Sequence, residues 1–257
     1  MTGNVSGWAA LAKATYIHLD STQVSGDVSG WASLAKATFI CLGSTHVTGD
    51  VSGWAALTEA TYIALPNTKV TGDVGAWAAL TKATYIDLGA TQVTGDVSGW
   101  AALTNTTYIT LAQTKVTGNL TGWAALIKAT QINLDHTHVT GDVSGWSALT
   151  KATAIYLGGG TKVTGDVSGW AALTEATHID LGSTKVTGNV GGWAALTEVT
   201  FINIFATQVT GDVSGWAALT KATTISLNTK VTGVCAATNM GAAQIGKSKV
   251  FVCHSPR

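Results

Sequence analysis

The chain has 257 residues, 46% hydrophobic and 11% charged, with 14 basic side chains against 14 acidic ones. That balance, with Arg257 as the only arginine, leaves no basic footprint for nucleic acid. No run approaches the ~18 apolar residues of a membrane-spanning helix.

The first residues, Met1 to Trp8 (MTGNVSGW), lack the charged and apolar regions of a signal peptide. They begin inside a repeat, which reads as an open first edge, a trimmed product or a piece of a longer array. Trp8, Trp31, Trp54, Trp77, Trp100, Trp123, Trp146, Trp170, Trp193 and Trp216 follow at intervals of 23 residues, 24 between Trp146 and Trp170. A fixed period of this length marks a solenoid, in which each coil buries its apolar side only against its neighbours.

One coil, Leu80 to Leu103, is representative. Thr84 to Leu88 alternates outward polar or aromatic residues with inward aliphatic ones, as a short strand does. Gln92 to Val97 alternates again around Gly95, where the missing side chain leaves room for close packing. Ser98-Gly99 makes a turn, and Trp100 to Leu103 suits a 3₁₀ or helical turn. Stacked coil on coil, the strands predict two parallel sheets with strands ~4.8 Å apart, in a body roughly 45–50 Å long.

The pattern L-x-x-A-x-x-I-x-L-x-x-T-x-V-T-G-D-V-x-x-W resembles the plant-type leucine-rich repeat. Leu80, Ile86, Leu88, Val93, Gly95 and Val97 fall on its fixed positions, and the match recurs in all ten coils. The resemblance implies a β-rich horseshoe or rod, with a parallel sheet on the concave side and 3₁₀ or helical turns on the convex side. Thr replaces the ladder Asn (Thr22, Thr45, Thr68, Thr91, Thr114, Thr137, Thr161, Thr184, Thr207, Thr229). Ala mostly replaces the second Leu, Val199 being an exception, and Ser-Gly-Trp replaces the Pro-containing turn. A Thr hydroxyl offers one donor to the neighbouring coil where an Asn amide offers two, so a weaker ladder is expected.

Three further columns carry chemistry. Trp follows the apolar phase, which assigns it to the core. The acidic column (Asn4, Asp27, Asp50, Asp73, Asp96, Asn119, Asp142, Asp166, Asn189, Asp212) invites calcium. Yet each coil offers one carboxylate, where calcium needs six to eight oxygens, so turn hydrogen bonds or a solvated face are expected and no metal is assigned. The Thr columns, from Thr15 to Thr223 and from Thr48 to Thr210, are similar to the arrays of ice-binding proteins, one plant group of which is leucine-rich-repeat. The second array is flanked by Lys and Asp columns, and β-branched Thr also suits strand surfaces in general.

Variation from coil to coil concentrates at two outward positions of the first strand, on the side that the resemblance makes concave. The first position carries Tyr16, Phe39, Tyr62, Tyr85 and Tyr108, then Gln131, His178 and Phe201. The second carries His18, Asp87, Asn133, Tyr156, Asp180 and Asn203. Packing constrains inward residues, so this free surface is the candidate partner-binding face, with an aromatic stripe suited to contact. The stripe also reads as a cross-strand ladder that stiffens the sheet.

Neither catalysis nor a cofactor is expected. His136 and His138 bracket a ladder Thr with no third ligand at zinc spacing, and no nucleophile-elbow, P-loop or paired-carboxylate motif appears.

Gly158-Gly159-Gly160 adds one residue, absorbed in a loop. After Gly233 the pattern stops. The expected organisation is a solenoid over 1–233 and a cap over 234–257, since solenoid ends need one. The resemblance implies a Cys235–Cys253 disulfide there, which would favour an extracellular or lumenal site; otherwise the compartment is unassigned. The expected function is a non-catalytic recognition or scaffold module whose concave face takes a protein, with a glycan as the other candidate. Ice binding and a spacer in a larger assembly are the alternatives.

Overall fold

A computed structural model describes residues 1–228 and 230–233, together with the backbone of two further strands, Met240–Ile245 and Ser248–Cys253. Ten coils stack into a solenoid. Each contributes a three-residue first strand, from Tyr16–His18 to Thr224–Ser226, and these form a ten-stranded parallel sheet. Second strands, from Thr2–Asn4 to Lys185–Thr187, form a nine-stranded parallel sheet, which the Asn189–Thr210 bridge and the Gly211–Asp212 and Val231–Thr232 pair continue. Between second and first strand each coil makes one 3₁₀ turn containing the Trp, such as Val97–Ala102. The strands lie within the segments predicted from alternation, whereas the 3₁₀ turn begins before Trp100 and takes in Ser98 and Gly99.

The core is one column per inward position. Val93, Val97, Trp100, Leu103, Ile86 and Leu88 are completely buried, and their equivalents repeat along the rod. Trp31 through Trp193 are fully buried and Trp216 nearly so, while Trp8 is only partly covered. Successive indoles lie parallel, with centroids 6.2–6.5 Å apart. Each indole N–H from Trp31 onward donates to a carbonyl of the preceding coil at 3.0–3.4 Å, as from Trp100 to Val74. Burial of the largest apolar side chain and satisfaction of its one polar atom therefore occur together.

The ladder Thr behaves differently from expectation. Thr45, Thr68, Thr91 and Thr114 are buried, but each hydroxyl donates to the carbonyl three residues back in its own coil, at 2.6–2.8 Å. At this position the backbone brings the carbonyl of the same coil within reach of the hydroxyl. Thr229 lies outside the described residues; beside it Asn228 does span, its Nδ2 donating to Thr207 Oγ1 at 3.0 Å and to the Val209 carbonyl at 3.1 Å. Two other Thr columns do link coils: every hydroxyl from Thr38 to Thr223 donates to the equivalent Thr carbonyl one coil earlier, at 2.9–3.1 Å, and the second-strand hydroxyls from Thr48 to Thr232 donate to a Gly carbonyl one coil earlier, at 3.2–3.5 Å.

The acidic column is a turn device. Asp96 Oδ1 accepts from the Ser98 amide at 2.8 Å and the Ser98 hydroxyl at 2.5 Å, and that hydroxyl oxygen accepts the Asn119 amide of the next coil at 2.7 Å. The same Asp–Ser–next-coil relay recurs at Asp50, Ser52 and Asp73. The adjoining Gly95 has φ +116, and a Cβ there would collide with the Asp73 carboxylate. No group of three or more His, Cys, Asp or Glu that could hold a metal occurs among the described residues.

The extra residue at Gly158–Gly160 leaves the register intact: Ile155 still pairs with Ile179, and both Leu157 and Val163 stay buried. Gly159 and Gly160 absorb the insertion at positive φ. Met240–Ile245 and Ser248–Cys253 pair antiparallel, and the second of them runs beside Thr224–Ser226 at the end of the first sheet. The expected Cys235–Cys253 bond lies outside the described residues. No helix among them is long and apolar enough to cross a membrane.

Candidate functional site: the first-strand face

The first-strand sheet is in register, so equivalent residues stand side by side: Tyr62 beside Tyr85, Tyr85 beside Tyr108, Asp87 beside Thr110. Parallel strands a single hydrogen bond apart leave just the thickness of an aromatic ring between side chains. Tyr16, Phe39, Tyr62, Tyr85 and Tyr108 accordingly form one continuous stack, with centroids 4.2–4.4 Å apart and planes within 12°. Tyr16 at the end is 62% exposed; the others are half-buried because each ring covers its neighbour. Both faces of Phe39, Tyr62 and Tyr85 are thus used up inside the stack, while Tyr16 keeps one face free. Burial pushes the Tyr85 hydroxyl far above the ordinary phenol range, with Tyr108 and Asp87 adding to it.

Beyond Tyr108 the stack ends. Gln131 is half-buried, Ala154 is buried, and His178 lies 6.1 Å from both Tyr156 and Phe201. Of the second outward position, His18 is exposed and Asp87, Asn133, Tyr156, Asp180 and Asn203 are half-buried. Cys41, Ala64 and Thr110 in that column are nearly inaccessible, because short side chains sink between the taller columns. Asn203 Nδ2 donates to Asp180 Oδ1 at 2.9 Å, which joins two of the candidate residues. The N-terminal aromatics and the C-terminal polar group remain separate patches.

A third outward column escaped the alternation reading, since it follows the last inward Leu of the strand. It contains Asp20, Pro66, Gly89, Ala112, Asp135 and Phe205, and it borders a cleft of about 260 Å³ lined by Pro66, Asn67, Asp87, Gly89, Thr110 and Gln113 among others. Asp87 Oδ1 accepts from the Gly89 amide at 2.9 Å, yet burial outweighs this and raises its pKa. Burial and then the Asp180 carboxylate push Asp135 up to about 6. Thr110 Oγ1 and Asp135 Oδ1 are buried with no hydrogen-bond partner among the described residues. A residue immediately after the last inward Leu is the sequence signal that finds this column.

No known family matches the sequence, and no curated protein does. Solved structures do match. The plant peptide hormone receptor RGFR1, in complex with RGF2, superposes with a TM-score of 0.76 at 14% identity, over 91% of this chain and 42% of that one. A TDR receptor gives 0.75 at 18% identity, over 90% and 41%. A plant ice-binding protein gives 0.64 at 16% identity, over 82% and 70%. The chain spans less than half the length of the two receptors. At these identities the likeness is one of fold, and the fold is a leucine-rich-repeat solenoid.

Proposed function

We propose that this chain is a non-catalytic protein-recognition module that binds through the first-strand face. The carrying observation is the stack from Tyr16 to Tyr108, five aromatic side chains on the face where variation between coils concentrates. A rigid, partly dry surface of this kind gives contact area at small entropic cost. Two of the structural neighbours are receptors, one of them in complex with RGF2, which accords with this reading. A protein is favoured over a glycan because a sugar ring packs on an open aromatic face, and here most of those faces lie against one another.

Ice binding has a neighbour of matching fold but less support from the surface. Side by side on the second sheet stand Thr71 with Gln92, Thr94 with Lys115 and Asp96 with Thr117, so charges interrupt the Thr array and keep it hydrated. The first-strand Thr hydroxyls already donate to the neighbouring coil.

Replacing Tyr62, Tyr85 and Tyr108 together by alanine is expected to preserve the near-ultraviolet signature of the buried indoles and to abolish capture of the native partner. Capture equal to the unaltered chain would overturn this function. Thermal hysteresis in the purified chain would instead establish the ice-binding alternative.

A further inference from the structure

We propose that the partner engages this face through a basic, extended peptide segment, one lysine or arginine of which seats its cationic head in the Asp87 cleft. This rests on the recognition function above and specifies its ligand.

Charge is segregated around the solenoid. The three outward columns of the first-strand face hold Asp20, Asp87, Asp135 and Asp180 and not one lysine or arginine. Lysines occupy other faces: Lys69, Lys115, Lys162 and Lys185 begin the second strands, and Lys82 and Lys221 pair with Glu59 and Glu198 of the preceding coil in the turns. A chain of zero net charge therefore presents one anionic face, and anionic faces select cationic partners.

Within that face Asp87 has the geometry to hold a single cation. Its register neighbours Ala64 and Thr110 are short and buried, so its carboxylate stands in a hollow rather than on a ridge. One carboxylate oxygen is held by the Gly89 amide, which fixes the group's direction. No ion pair reaches Asp87 among the described residues, and a half-buried carboxylate without a counter-ion is the state that an incoming ammonium or guanidinium relieves. Asn67 and Gln113 at the rim supply carbonyl acceptors for the remaining N–H groups. The aliphatic stem of Lys or Arg can lie along the ring edges of Tyr85 and Tyr108, which belong to the same two strands as Asp87 and Thr110.

The test uses the immobilised full chain and three pools of short synthetic peptides. Their flanks are randomised and their central residue is Lys or Arg, Glu, or norleucine; retained peptides are read by mass spectrometry. The Lys/Arg pool is expected to be retained about tenfold over the norleucine pool, the effect of one charge-assisted hydrogen-bonded contact, and the Glu pool least. Asp87→Asn keeps the acceptor for the Gly89 amide and is expected to erase this preference, while Glu175→Gln on an exposed turn leaves it unchanged. No Lys/Arg preference, or one that survives Asp87→Asn, or one lost equally in Glu175→Gln, overturns the cationic subsite. In those cases retention that still depends on Tyr62, Tyr85 and Tyr108 preserves the recognition function, and retention that ignores them removes both.

Discussion

Ser21, Ser44, Asn67, Ala90, Gln113, His136, Ser183 and Ala206 all hold φ between 54° and 63°, a region that costs most L-residues about 1–2 kcal/mol. Asn tolerates it best; Ala has nothing to offset it. Ala206→Gly is therefore expected to raise stability by about 0.5–1 kcal/mol, after the greater unfolded-state freedom of Gly is deducted, as urea denaturation would show. This column was invisible to alternation, because hydrophobic pattern reports which way a side chain points and not the sign of φ. Asp135 is a second residue-scale case. Its pKa of about 6 lies above the unfolded value near 3.9. The group thus favours folding fully below pH ~4 and loses that contribution as pH rises through 6. Asp135→Asn is expected to raise the melting temperature at pH 7.5, with the gain fading by pH 4.5; an equal gain at both values would count against a titrating carboxylate. The turn aspartates run the other way. Hydrogen bonds from the following Ser, hydroxyl first and amide second, lower the pKa of Asp27, Asp50, Asp96, Asp166 and Asp212, with the order reversed at Asp142. Their stabilisation holds at neutral pH and is lost on acidification below the ordinary carboxylate range.

At the scale of the element, each 3₁₀ turn is fastened by its Trp from within and by its Asp–Ser pair from without. Trp123→Phe removes the bond to the Val97 carbonyl at 3.1 Å and leaves a space where the larger ring was. A loss of about 2–3 kcal/mol is expected, measurable as a lower denaturant midpoint. Trp burial was legible in the sequence, since Val97, Trp100 and Leu103 share one phase. The roles of the two Thr columns were not. Thr91 and Thr84 are the same residue type in the same coil, yet one hydroxyl bonds within its coil and the other links coils. Only the path of the backbone decides which carbonyl lies within reach. Thr106, where most coils have Ala, makes the same point: it is buried, and its hydroxyl finds the Ala83 carbonyl at 2.9 Å.

For the molecule as a whole, the strongest contacts between coils among the described residues join neighbours, so one period is removable in principle. Deleting residues 93–115 joins Gln92 to Val116 in phase. The shortened chain is expected to fold cooperatively, with a denaturant slope lower by about a tenth, and a molten or aggregated product would show that the coils are not interchangeable. The solenoid and its inward columns were readable from period and phase alone. The binding face was readable only by subtraction, and incompletely. Alternation singled out the Tyr16-to-Tyr108 stripe and Asp87, but the hollow around Asp87 depends on Ala64 and Thr110 sinking beside it, and the bordering third column depends on the turn after Leu88.

The nine stacked steps of the Trp column have planes within 9° of parallel. From Trp31 onward each indole N–H also bonds the equivalent carbonyl of the preceding coil, which gives the rings nearly the same in-plane direction. Light absorbed by one ring can then migrate along the rod and be re-emitted with its polarisation preserved, whereas randomly oriented tryptophans at this density would depolarise it. Intrinsic emission anisotropy thus measures, without any label, how far the coils remain in line.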